Sequence, residues 1–324
     1  MRHDFDIDPE YGFSVPEADK LLRKCVRRFE KSVRSSTSIF LPLGTVRGDS
    51  ADLRQSGQMT IADQLDMLLR THESSRMLMR TLDEQDSKLG DSLSLIREQV
   101  ERVFLISLFL DDPERWMRIY QVDQWAKMYK LYCVEAEETT DLPRFADFND
   151  VEMPARMEQL RHALDIPESA RDAVRYAALN PGSPVPSNLQ GCMPARFPAP
   201  TKARSKVRDC NAKEALDRWY LEYERLCEFS HIHLTKVFIT RIASDPLVDV
   251  VAKYTVSRRI AEHGLVLAYT SAGYICAEIY RAGVGDLESL ESLSEFWDQL
   301  CKMSLLGKWM WNKRVRSSLP SLIL

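Results

Sequence analysis

From Leu221 to His233 the chain reads Leu-Glu-Tyr-Glu-Arg-Leu-Cys-Glu-Phe-Ser-His-Ile-His, which brings two of its six histidines together with an arginine and several glutamates. An imidazole can take or give a proton near neutral pH, and a guanidinium can steady negative charge that develops at a phosphate. The stretch from Asn211 to Thr240 holds neither Pro nor Gly, so one long helix is expected there. On a regular helix, at about 100° per residue, Leu216, Trp219, Tyr223, Cys227, Ser230 and Leu234 form one stripe. His231 and His233 fall on its two edges, roughly 160° apart, and cannot serve one ion. Glu228 and His231 share a face at i and i+3, the spacing with which carboxylate bundles hold paired metal ions. That architecture needs a second Glu-x-x-His, which the chain lacks, so no metal and no cofactor are expected.

A second constellation is Arg97 with Glu101, an i,i+4 pair on the same side as Phe104 and Leu108. Read structurally, it is an ion pair at a packing edge, worth about 0.2–0.5 kcal/mol. Read functionally, it meets the helix of Ser230 and fixes His231 or His233, since a polar cluster in an apolar bundle must be satisfied and can shift a histidine's pKa. Glu262-His263 follows Arg258 and Arg259 on another helical stretch, where a lone histidine reads as structural.

Helices must position these groups. Only 12 glycines occur, roughly half the usual share, and helix formers dominate, so the fold class is all-α. Ser14 to Glu17 reads as a capping box ahead of an amphipathic helix, with Leu22, Val26, Phe29 and Val33 on its stripe and Lys20, Arg23, Lys24, Arg27 and Arg28 elsewhere. Ser35–Gln58 reads as a loop, and Thr60 as the cap of a helix running to about Lys88, broken by Gly90. Leu93–Leu110, increasingly apolar on all sides, is expected to be a buried central helix. Asp111-Asp112-Pro113-Glu114 stops it and starts a helix to about residue 137. Shorter helices follow near 152–164 and 167–178.

Six of the fifteen prolines then lie between Pro181 and Pro200. We read 180–209 as an extended, Pro-rich basic insertion, either solvated or touching phosphate through Arg196, Lys202, Arg204, Lys206 and Arg208. Helices over about 257–281 and 286–313 complete an antiparallel bundle of long helices. The expected organisation is an N-terminal helix and loop (1–58), a helical bundle domain (59–313) that contains the 180–209 insertion, and a C-terminal tail (314–324) that docks on a partner or frays.

The net charge of −4 gives no general reason to expect nucleic acid, although a summed charge hides local basic patches. Seven scattered cysteines, none spaced Cys-x-x-Cys, exclude a zinc ribbon and a disulfide framework and fit a reducing, cytoplasmic setting. The longest largely apolar run, Gly264–Cys276, is too short to span a bilayer, so no membrane association is expected. Phosphate-cradling glycine loops and the common hydrolase motifs are absent.

Arg225 followed, after five residues, by His231 resembles the arginine–histidine motif of the HEPN superfamily, all-α proteins that include metal-independent ribonucleases acting as toxins or in phage defence. The resemblance implies that His231 moves the ribose 2′-hydroxyl proton while Arg225 stabilises the phosphorane. Leu226 stands where the family often has a polar residue. The two side chains also point about 120° apart on a straight helix, so a composite site needs distortion or a dimer partner. Taken together, Arg97, Glu101, Asp112-Pro113-Glu114, Ser230 and His233 resemble a family of bacterial helical proteins catalogued as a domain of unknown function. That likeness implies a compact all-α fold and favours His233 over His231. Two functions are therefore expected to compete. One is metal-independent RNA cleavage or RNA binding in stress or phage defence. The other is a non-catalytic interaction or regulatory role, with a protein partner or a homodimer, in which the polar cluster is structural.

Overall fold

Val15, Ala18, Leu22, Cys25, Val26, Phe29 and Val33 recur at three- and four-residue steps, and a computed structural model of the protein buries all of them along α1 (Val15–Ser35). The structure describes residues 15–36, 50–79, 87–137, 152–230 and 250–316, so the Ser14 cap lies outside it. The following elements are α2 (Ser50–Met79), α3 (Ser87–Asp111), α4 (Pro113–Glu137), α5 (Glu152–Ala163), α6 (Glu168–Leu179), α7 (Pro200–Ala203), α8 (Cys210–Ser230), α9 (Val250–Arg281), α10 (Leu287–Met303) and α11 (Leu305–Met310). No strand occurs among the described residues, and the all-α class holds.

The chain forms two compact units. The larger contains α1, most of α2, α3, and everything described from Ala199 onward. Its centre is α3, which packs along both α8 and α9 with Ile96, Val100, Val103, Phe104 and Leu108 buried. The apolar stretch of α9 supplies Leu265, Leu267, Ala268, Ala272, Ile275 and Ile279 to the same core, and α10 adds Leu293, Phe296, Trp297 and Leu300. No helix among the described residues is long and apolar enough to cross a membrane. The smaller unit contains α4, α5 and α6 around Trp125, Met157, Ile166, Ala170 and Val174. Within it the Trp125 indole donates to the Met157 carbonyl at 3.0 Å and stacks on Tyr129 at 5.1 Å. Residues 180–198 run through turns and one short 3-10 turn, with Phe197 meeting Trp116 and Tyr120 edge-on.

Several helix ends differ from the sequence reading. Among the described residues α2 begins at Ser50, inside the expected loop, and carries Gly57 within it. Thr60 is therefore helix interior rather than a cap. Gly90 lies in the first turn of α3 instead of breaking a helix. A glycine costs about 1 kcal/mol there, which the buried face of a long helix readily offsets. The expected 286–313 helix is three pieces, because Ser304 leaves helical geometry (φ −153°, ψ 146°) and its hydroxyl caps α11 by accepting from the Gly307 N–H at 2.8 Å. A π-helical turn at Trp311–Val315 follows.

Gly307 makes that reversal possible. A Cβ at this position would lie 2.6 Å from the Leu300 carbonyl oxygen, a backbone atom with no room to retreat. We expect Gly307→Ala to destabilise the larger unit by about 1–3 kcal/mol, as overpacking does. Urea unfolding of the variant tests this, and a midpoint equal to wild type would show that α11 can shift without cost.

Candidate functional site

Helix α8 carries the residues the sequence singled out, and Asp209 starts it by accepting from the N–H groups of Asn211 (2.8 Å) and Ala212 (3.3 Å). Its buried face is Ala212, Ala215, Leu216, Trp219, Glu222 and Leu226. Compared with the expected stripe, that face is turned by about 50° toward Glu222. Tyr223 and Cys227, expected inside, are only half-buried.

Glu222 explains the turn. Its carboxylate is 1% exposed yet has three cationic or potentially cationic neighbours. Arg225 donates through Nη1 to both oxygens at 3.0 and 3.1 Å. Arg218 reaches it at 3.1 Å, and His263 Nε2 comes from α9 to 3.3 Å. Burial alone would raise the pKa of Glu222. The His263 contact and the charges of Arg225, His263 and Arg218 outweigh burial and hold the carboxyl below the ordinary glutamate range. A buried charge satisfied in this way costs the core little, so the helix can turn an acid inward. His263, read as a structural histidine, therefore pairs with the helix of Arg225.

Arg97 and Glu101 form their i,i+4 pair at 3.5 Å on α3. They lie on the side that meets α8, where Phe104 packs edge-on to Tyr223 with ring centroids 6.2 Å apart. Burial, then Cys227, then the charge of Glu101 push the Tyr223 phenol above the usual tyrosine range. The structure thus brings Arg97 and Glu101 to α8 one turn before Cys227 and places Arg225 on Glu222. Ser230 is the last described residue of α8, and its side chain lies outside the described atoms, as do residues 231–249 with both His231 and His233.

The basic segment is partly spoken for within the chain. Arg204 stacks over the Tyr220 ring at 4.2 Å and pairs with Asp217 at 3.1 Å. Arg208 donates from its backbone N–H to Asp111 at 3.0 Å and from Nη2 to the Asp111 carbonyl at 2.9 Å. Lys202 and Lys206 are exposed, with no ion pair among the described residues, and Arg196 is exposed in the smaller unit. On α1 most of the basic side chains meet carboxylates, with Arg23 on Glu73, Lys24 on Glu295, Arg27 on Asp66 and Arg28 on Glu288.

Two further polar clusters escaped the sequence reading. At one, Asp19 of α1 accepts from Tyr269 Oη (2.5 Å), His72 Nε2 (2.8 Å) and Arg76 Nε (3.2 Å). Burial works to raise its pKa, but the hydrogen bonds from His72 and Tyr269 and the charges of His72 and Arg76 bring it down to about 2. A pocket of about 250 Å³ opens beside it, between α1 and α2. The signal was present: Asp19 falls on the apolar stripe of α1 beside Val26, and His72 is the next position on the stripe of Ile61, Leu65 and Leu68. A polar residue on a buried stripe is the mark of a satisfied cluster.

At the other, Arg314 grips Glu278 of α9 through Nε (2.8 Å) and Nη2 (3.0 Å), both side chains being 4% exposed. Arg281 joins Glu278 at 2.6 Å and Asp209 at 2.7 Å, and Arg314 also reaches Asp209 at 2.9 Å. Arg314, read as the start of a tail, is therefore a core residue. Among the described residues no group of three or more His, Cys, Asp or Glu side chains converges as a metal site would require, and none of the seven cysteines is in a disulfide. No family model, no curated protein and no solved structure matches the chain.

Proposed function

We propose that the protein binds RNA on the face of α8 and α9 around Glu222 and cleaves it without a metal ion. The observation that carries this reading is the gathering of three exposed donors on one buried acid. Arg218, Arg225 and His263, with side chains 41%, 57% and 51% exposed, converge on a carboxylate that is itself almost wholly shielded. One negative charge thus orients two permanent positive charges toward solvent, with His263 able to add a third. This happens on α8, whose described residues run to Ser230, the residue before His231 in sequence. Preoriented guanidinium groups are suited to phosphate and to charge developing on it. In the proposed step His231 takes the proton of a ribose 2′-hydroxyl, the freed oxygen attacks the adjacent phosphorus to form a 2′,3′-cyclic phosphate, and the 5′-oxygen leaves as a hydroxyl with a proton from water, His231 later returning its proton to solvent. Arg225 neutralises the phosphorane, and Glu222 holds Arg225 in place.

Cleavage of a single-stranded RNA in EDTA checks the proposal. His231→Ala should lower the rate by about 10²–10⁴ and Arg225→Ala by about 10²–10³, with both variants folded. His233→Ala should leave the rate near wild type. Loss in His233→Ala alone would move the proton transfer to that residue.

A second reading is favoured by the pairing of Arg204, Arg208 and the α1 cations with carboxylates, which reduces the charge free to meet a polyanion. On that reading the chain is a non-catalytic helical interaction or regulatory protein and its clusters specify packing. Its signature is absence of cleavage in wild type together with lowered melting temperatures in the histidine variants.

A further inference from the structure

Helices α1 and α9 pack side by side, and two contacts fix their register. Tyr269 Oη donates to Asp19 at 2.5 Å, and further along both helices Phe29 meets Tyr280 edge-on with ring centroids 6.5 Å apart. The helices therefore run in the same direction, with partners 250 and 251 positions apart in the chain. Cys25 and Cys276 are also 251 positions apart. Each lies four residues before a member of the ring pair, and residues four apart share a helix face. The register thus sets the two cysteines against each other in the seam between α1 and α9, where both are 0% exposed. Burial, and then the hydrogen bond between the two thiols, hold Cys276 well above the usual cysteine range.

We infer that Cys25 and Cys276 form a reversible oxidation site, at which hydrogen peroxide closes the two thiols into a disulfide that locks α1 onto α9. Sulfurs already in hydrogen-bond contact need to approach by only about 1–2 Å to reach the bonded separation of about 2 Å. In the first step one thiolate attacks the peroxide O–O bond and becomes a sulfenic acid, releasing water. In the second the other thiol attacks that sulfenic sulfur, which forms the S–S bond and releases a second water. The two sulfurs together give up two electrons, which reduce the peroxide, and the two thiol protons leave in the water. Seated thiols are protonated and shut off from solvent, so the first step takes place when α1 lifts. Asp19 governs that motion, because it ties α1 to both α2 and α9. When α1 reseats, its register returns the oxidised cysteine to its partner. The bridge closes a loop that spans most of the chain, the kind that restrains an unfolded chain most. The site draws on no part of the Glu222 face and stands whether or not RNA is cleaved there.

Incubation of the folded full-length protein with hydrogen peroxide, then denaturation, alkylation of the remaining thiols and peptide mapping by mass spectrometry, tests the inference. A peptide linking Cys25 to Cys276 is expected, and dithiothreitol should restore both thiols. In the linked protein amide exchange at Leu22, Val26 and Phe29 should slow by at least about tenfold. Asp19→Asn, which loosens α1, should form the link roughly tenfold faster than wild type at the same peroxide concentration. Cys276→Ala should leave Cys25 unlinked, and the wild-type map with the Asp19→Asn rate decides the matter where that variant does not fold. Cys210 is exposed and reports that the oxidant has acted. Recovery of Cys25 and Cys276 as alkylated thiols after Cys210 has been oxidised would overturn the inference. So would links that join other cysteines instead, or equal rates of linking in Asp19→Asn and wild type.

Discussion

Arg314→Met is expected to lower the stability of the larger unit by about 3 kcal/mol at neutral pH, a fall in melting temperature of roughly 6–12 °C. The reason is Glu278, which the substitution would leave buried with its bidentate partner gone. Removing one member of a buried ion pair costs about 3–5 kcal/mol, and the lower end applies because Arg281 still reaches Glu278 at 2.6 Å. Burial already holds Glu278 above the ordinary glutamate range, with the charge of Arg314 pulling it back. A carboxyl raised on folding favours the folded state while protonated and weakens it as pH climbs past its unfolded pKa. Loss of Arg314 raises it further, so the destabilisation should be larger at pH 8 than at pH 5, by about 1.4 kcal/mol for each added pKa unit. Adding Glu278→Gln removes the uncompensated charge and should restore more than about 1 kcal/mol at pH 8. Urea unfolding of both variants at the two pH values is the measurement. A loss that is the same at both, or a double variant weaker than the single one, would show that the pair is not held as a buried charge.

The elements that were legible in the sequence are those whose apolar period is long and unbroken. The stripe of α1, the apolar run of α3 and the Asp112-Pro113 start of α4 each say the same thing at several levels at once. Helix ends were less legible, because they are decided by contacts made elsewhere. Ser304 and Gly307 look like ordinary interior residues until α11 turns back on the Leu300 carbonyl. The charged groups were least legible. Glu222, Glu278, Asp19 and Arg314 all look like surface residues by type, and each is taken inward by partners that lie far off in sequence or on a neighbouring helical turn. Reading the α8 stripe from apolar residues alone therefore set its face about 50° from where Glu222 and Leu226 put it. Arg97 and Glu101 were found because helical spacing pairs them locally, which is the part of electrostatics a sequence displays, whereas Arg225 was singled out by its spacing to His231. The partner that gives Arg225 its setting comes in part from α9 through His263, and no local rule points there.

Asp19→Asn should cost about 2–4 kcal/mol at pH 7 and remove one limb of the protein's acid sensitivity. The amide keeps the carboxylate's shape and can still accept from Tyr269 or His72 through its oxygen. Its nitrogen, however, would face Arg76 Nε, donor against donor, 3.2 Å away. The pH dependence follows from the folded pKa of about 2, below the ordinary value of 3.8. A depressed carboxyl stabilises the fold fully above its unfolded pKa, and that stability is lost as pH falls from about 4 toward 2. Nearly two units correspond to about 2.4 kcal/mol, which the 22% exposure of Asp19 reduces to about 1–2 kcal/mol. Wild type should therefore lose about two-thirds of that amount between pH 5 and pH 2.5 through this group, and the variant should lose correspondingly less over the same interval. Because this carboxylate ties α1 to both α2 and α9, the loss should appear first as exposure of the α1 stripe, read by faster amide exchange at Leu22, Val26 and Phe29 than at Val100 or Phe104 of α3. Equal exchange in the two helices, or an unchanged acid limb in Asp19→Asn, would mean that apolar burial alone seats α1.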